Sequence, residues 1–159
     1  MFLEYGGLST KSQVIQCLQQ LIKQKEKDMN TLINKVETYS APLGRVLIST
    51  IFLTSGLSKI GAYEQTAGWM SSLGVPGILL PLVIALEVVG ALAVIVGWQT
   101  RIAAFLLAGF SVLAGLLFHN DFSNPMEQAM LMKNISIAGG FLAFTAFGAG
   151  ALSMDNRNK

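Results

Sequence analysis

One carboxylate, Glu87, interrupts the most apolar stretch of this sequence, residues 75–96, and stands far from either end of it. At 1.5 Å of helix rise per residue, its depth is roughly 15 Å, too far for the side chain to reach water. Lys59 closes the first apolar stretch and Lys133 opens the last. A charge inside a membrane helix costs roughly 2.5–3.5 kcal/mol on insertion scales, so such groups turn toward a bundle interior and find partners. Three chemistries are open to this set. It can clamp helices together through buried pairs. It can line a polar pocket whose occupant carries carbonyl or hydroxyl oxygens. Glu87 can also carry a proton, since desolvation favours the neutral form of a carboxyl group. Glu87 lies roughly 10 Å below the two lysines by helix rise, so a direct pair requires a long lysine stem to reach down.

Other polar residues fall in register with these. Arg45, Ser49, Phe52, Gly56 and Lys59 recur at alternating spacings of four and three, which puts both charges and the small residues on one helical stripe. Lys133, Ser136, Gly140 and Ala143 form a second stripe; Ala104, Ala108, Ser111, Gly115 and His119 form a third. Small-residue stripes let helix backbones approach closely, which accounts for the serines and glycines as packing. The charges ask for more. The candidate polar pocket is therefore Lys59, Glu87, Lys133, Asn134, His119 and Arg45. His119 also reads as an interfacial polar residue at a helix end, and Arg45, like Arg101, as an anchor that reaches toward phosphates. No residue stands out as catalytic.

Cysteine and histidine usage narrows the redox options. Cys17 is the one cysteine and His119 the one histidine. One chain therefore has no internal disulfide, no CxxC pair, no bis-histidine haem and no ordinary zinc ligand set, and no metal site is expected. Redox chemistry here would need a bound organic cofactor or a partner.

The elements that must position these groups follow from composition. The chain has 159 residues, 52% hydrophobic and only 13% charged, with a mean hydropathy of +0.55. Soluble domains carry about 25% charged residues. Half that level leaves too little polar surface for a water-soluble globule, and a net charge of +2 gives no footprint for nucleic acid. Four apolar segments, 43–60, 75–96, 102–118 and 129–152, approach the roughly 17–25 residues that cross a bilayer as a helix. The expected fold is all-α, a bundle of four transmembrane helices. The membrane domain spans 41–155, between a polar tail over 1–40 and a short tail over 156–159. In the first tail Val14, Leu18, Leu21 and Ile22 fall at helical spacing, so a solvated tail and a short amphipathic helix are both open. A basic, apolar and small-residue signal-peptide pattern is missing. Met29 opens a stretch that would itself make a sensible start.

Residues 97–101 make a short connection, so the second and third helices are antiparallel neighbours. Trp69 and Trp98 read as interface anchors. Five lysines precede the first helix, Arg101 lies in the second connection, and Arg157 and Lys159 follow the last helix. The connections over 61–74 and 119–128 have no Lys or Arg. Both termini are thus expected in the cytoplasm, with His119 toward the opposite compartment.

With these residues in place the chain resembles the DoxX family of small four-helix bacterial membrane proteins, over about residues 40–155. The resemblance rests on LGRVLISTIFLTSGLSKI, SSLGVPG, ALEVVGALAVIVGWQTRIAAFLL, the stretch FHNDFSNPMEQAMLMKNISIAGGFLAF and a terminal GALSMD. Arg45, Gly56, Lys59, Glu87, Gly90, Arg101, His119, Lys133, Asn134, Gly139 and Gly140 stand at the family's places. Asn-Asp-Phe follows the histidine where the family often has Phe-Trp, and residues 1–28 match nothing in the pattern. The resemblance implies a multi-pass protein of the bacterial cytoplasmic membrane, loosely tied to redox physiology. The function expected is a membrane subunit that supports an oxidoreductase or handles a quinone-like molecule. The expected partners are the lipid bilayer and a redox enzyme, with no covalently bound cofactor and a quinone as the candidate ligand. The rival reading is a small-solute carrier or a purely structural subunit whose charges only clamp helices. Transport ranks lower, because four short helices without an inverted repeat offer little machinery for alternating access.

Overall fold

A computed structural model describes residues 5–157, with side chains from Ser12 onward. Lys11 and Lys159, counted above among the basic residues, lie outside the described side chains. Five α-helices account for nearly all of the described residues: α1 (Tyr5–Gly61), α2 (Tyr63–Ser72), α3 (Leu80–Val96), α4 (Thr100–Phe118) and α5 (Pro125–Phe147). Among the described residues there is no strand. The contacts divide the chain into two units, Met1–Glu37 and Thr38–Lys159.

Through Glu37 the described part of the first unit is helical, and its residues from Ser12 onward are exposed. Lys, Gln, Glu and Leu dominate it, all good helix formers, and a Gln24–Asp28 hydrogen bond one turn apart supports it. Helix runs through most of the stretch for which a solvated tail was one of the two expectations.

The second unit holds the bundle. Among the described residues four helices are long and apolar enough to cross a membrane: Ser12–Gly61 within α1, Gly77–Val96, Thr100–Phe118 and Pro125–Phe147. Their exterior is apolar, and in their interior small and polar residues pack around a few large apolar ones such as Phe52, Leu107 and Phe141. Leu82, Phe105 and Leu113 are each at least 60% exposed, whereas Ser49, Ala91, Ala104 and Ser111 are fully buried. Lipid tails are as apolar as leucine, so close packing of small residues, not exclusion of water, selects the interior. A Cβ on Gly140 would overlap Ile48, which marks a close approach of α1 and α5. Phe52 anchors the centre, edge-on to Phe141 at 5.4 Å and to Phe110 at 6.3 Å between ring centroids.

The helix ends follow local chemistry. Asn124 caps α5 by accepting from the Met126 N–H, with Pro125 in the first turn. Gly148, at φ +84°, stops α5 at Phe147, five residues before the end expected from apolarity alone. The connection over 61–74, for which no helix was expected, contains α2. A short 3₁₀ turn, Gly77–Leu79, then leads into α3.

Candidate functional site

Gly56 is where the site begins. A Cβ there would lie 2.7 Å from Val88 Cγ2 and 3.2 Å from Glu87 Cβ, so α1 and α3 touch at this point. That proximity lets Lys59, one turn further along α1, reach down to a carboxylate set deeper in α3. Lys59 Nζ donates to both Glu87 oxygens at 2.9 Å. Its third proton goes to Ser55 Oγ at 2.6 Å, and the Ser55 hydroxyl points at Glu87 Oε1 from 3.5 Å. The Glu87 side chain is 4% exposed and that of Lys59 22%. A buried carboxylate is thus matched by a cation with one foot toward the surface.

These three residues form one wall of a cavity of about 220 Å³. Phe52 and Phe110 supply apolar surface, while Lys133, Asn134 and His119 supply the polar groups of the α4–α5 side. Lys133 Nζ rests 3.1 Å from Met130 Sδ, and Asn134 donates to the Met130 carbonyl at 3.0 Å. A thioether is a weak acceptor, so the Lys133 ammonium keeps most of its donor capacity. His119 Nδ1 lies 2.7 Å from Glu127 Oε2. Helix α2 completes the enclosure through Thr66, Trp69 and Met70, and Trp69 stacks on Phe118 with centroids 4.8 Å apart.

Five of the six candidate residues, Lys59, Glu87, Lys133, Asn134 and His119, therefore line one cavity. Lys133 is not paired with Glu87. Arg45 is not among the lining residues, because it sits four turns from Lys59 toward the other end of α1. There it is 2% exposed and donates to the Leu152 carbonyl. A Cβ on Gly97 would strike its guanidinium. Asp155 completes that second cluster by accepting from the Gln99 and Thr100 N–H groups at 2.8 and 2.9 Å. Burial opposes ionisation of Asp155, but hydrogen bonds from Thr100 and Gln99, with the positive field of Arg45, hold its carboxyl below the usual range.

Several participants were not singled out as site residues from the sequence, Phe110 of α4 among them. Ser55 falls off the Lys59 stripe. Glu127 and Phe118 carry no signal beyond lying close to His119. Trp69 was read as an interface anchor; a tryptophan in a short connection between apolar segments is the one hint that could have raised it. Among the described residues no three His, Cys, Asp or Glu side chains gather as a metal site.

The architecture defines a small membrane bundle with a cavity that is aromatic at Phe52 and Phe110 and charged at Lys59 and Glu87 on one side and Lys133 on the other. The DoxX family model matches residues 41–120, half of the chain and two of the three walls just described. The chain belongs to the DoxX family. It is 42% identical to the Escherichia coli inner membrane protein YqjF over 123 residues, 77% of this chain and 95% of that protein. Identity to the inner membrane protein YphA of the same organism is 32%, covering 72% of this chain and 87% of the relative. A shorter match, 34% identical over 76 residues, reaches a Bacillus subtilis protein named "Putative oxidoreductase CatD", covering 48% of this chain and 57% of that one. No solved structure matches the chain.

Proposed function

We propose that this protein is a membrane component of a quinone-linked oxidoreductase system and that its cavity takes a single quinone-class ring. The observation that carries this reading is the pairing of aromatic faces with convergent charged groups in a space of about 220 Å³. Pockets for drug-sized ligands run to roughly 300–1,000 Å³, so a single substituted ring suits this one better than an extended solute. A quinone brings the redox chemistry. The chain's own groups bind and orient: Phe52 and Phe110 border the ring, Lys133 and Asn134 offer N–H groups to an oxygen, and Glu87 holds or releases a proton beside it. The name of the Bacillus relative points the same way. Two relatives named as inner membrane proteins support a bacterial cytoplasmic membrane as the location. The distribution of lysines supports termini on the cytoplasmic side, with the cavity toward the opposite face.

Thermal melting of the detergent-solubilised protein with and without duroquinone tests the reading. Saturation at 100 times Kd adds about 2.7 kcal/mol, and that gain should be lost in Lys133→Ala and reduced in Asn134→Ala. Correctly inserted variants that keep the full ligand-dependent shift would sink the pocket and leave the charges as a helix clamp.

A further inference from the structure

Hydrogen-bond capacity in the cavity is unevenly distributed. An ammonium has three protons, and those of Lys59 already have three acceptors: Ser55 Oγ and both oxygens of Glu87. The Ser55 proton is directed at Glu87 Oε1. No donor on this wall is left over. Acceptor capacity is plentiful, because an ionised carboxylate offers about four lone-pair sites, and the Glu87 oxygens receive only Lys59 and a long contact from Ser55. The mouth repeats the pattern. Glu127 accepts from His119 Nδ1, so in the neutral imidazole Nε2 is an acceptor. Free donors lie on α5, where Lys133 rests on a thioether, a weak acceptor, and Asn134 uses one of its two amide protons.

We infer that the cavity selects the hydroxyl-bearing, reduced form of its ring over the oxidised form, with one ring hydroxyl donating to Glu87. The inference rests on the quinone-class reading above and adds which member of the redox pair is bound. An oxidised ring presents carbonyl oxygens only. Turned toward Glu87 it would set an acceptor against a buried acceptor, lose the hydration of both, and leave Lys59 with nothing to give. A hydroquinone supplies the missing proton to Glu87 and still offers an oxygen to the Lys133 and Asn134 side. Sites whose buried polar groups are satisfied by a ligand hydroxyl discriminate strongly against analogues that lack it.

The test is a binding series on the full-length protein in nanodiscs with three probes: duroquinone, its reduced form duroquinol under anaerobic conditions, and duroquinol dimethyl ether. The ether keeps the reduced ring and both oxygens but has no proton to donate. Duroquinol should bind at least about tenfold more tightly than either of the others, a conservative figure for a missing hydroxyl. In Glu87→Gln, where the amide can donate and Lys59 regains a proton, duroquinone should gain on duroquinol and the preference should shrink or reverse. Equal or tighter binding of duroquinone to the unmodified protein overturns the inference and leaves the quinone-class reading standing. An ether as tight as duroquinol, or a preference undiminished in Glu87→Gln, overturns it as well. If no probe binds, the quinone-class reading itself falls, and the inference with it.

Discussion

At the two ends of the bundle, the same helix places a cation near an acidic residue, yet the outcomes differ. Arg45 engages main chain: the Leu152 carbonyl directly, with the guanidinium pressed on Gly97. Its acidic neighbour Asp155 does the same, holding two N–H groups at the start of α4 while its own N–H donates to the Gly97 carbonyl at 2.8 Å. Lys59 and Glu87 instead engage each other, beside open space. Charges tied to backbone groups determine where loops and helix ends go. Charges tied only to side chains can exchange partners when a ligand arrives. The Arg45 end is built as a fastening, and the Lys59 end is the proposed site.

Substitutions can break or sharpen that contrast. The largest effect is expected from Lys59→Ala, which leaves Glu87 buried without its cation and should cost about 3–5 kcal/mol, read as a lowered melting temperature in detergent. Adding Glu87→Leu should recover most of the loss, because an apolar replacement for a buried pair is often neutral. Ligand binding should stay absent in the double variant. Recovery of binding along with stability would mean that the pair is only a clamp.

Gly56→Ala comes next. Its Cβ would meet Val88 Cγ2 at 2.7 Å and force α1 and α3 apart, at a cost of about 1–3 kcal/mol. Separation of the helices should lengthen the Lys59–Glu87 contact and weaken ligand binding, while the Arg45 end is untouched. A disulfide or crosslink reporter placed at that end should read the same in both proteins.

Asp155→Asn should have the smallest effect, about 1 kcal/mol for a weakened cap on α4, with ligand affinity unchanged. This carboxyl titrates lower in the folded protein than in the unfolded chain. Its contribution is therefore complete at neutral pH and above the unfolded value, and it fades as pH falls through the folded one. The stability gap between the protein and its Asp155→Asn variant should close under acid. A gap that persists at low pH would show that the ionised carboxylate is not what holds the connection.

Much of this was legible in residue types. Apolar segment lengths indicated four spanning helices, and the depth of Glu87 indicated that it needed a partner. Apolarity places the start of α5 at residue 129, and the Asn124 cap with Pro125 sets it four residues earlier. The register of Arg45 with Lys59 misled in one respect: a shared stripe says which side of a helix two residues occupy, but they are fourteen residues apart, roughly 21 Å along the axis. The C-terminal GALSMD stretch carried Asp155, yet nothing local ties an aspartate there to the N–H groups of residues 99 and 100.

The sequence by itself determined the solvent of this protein, the number of its membrane-spanning helices, and the presence of charges that could not remain alone in hydrocarbon. Those properties depend on composition and periodicity, which are local. Tertiary structure alone decided which lysine reached Glu87, that α2 and Trp69 enclose the cavity, and that Arg45 belongs to the opposite end. Each of those outcomes depends on helices meeting at particular contacts, such as Gly56 against Val88. A separation of a few ångströms there determines whether a buried charge is paired, and no spacing along one chain segment encodes that distance.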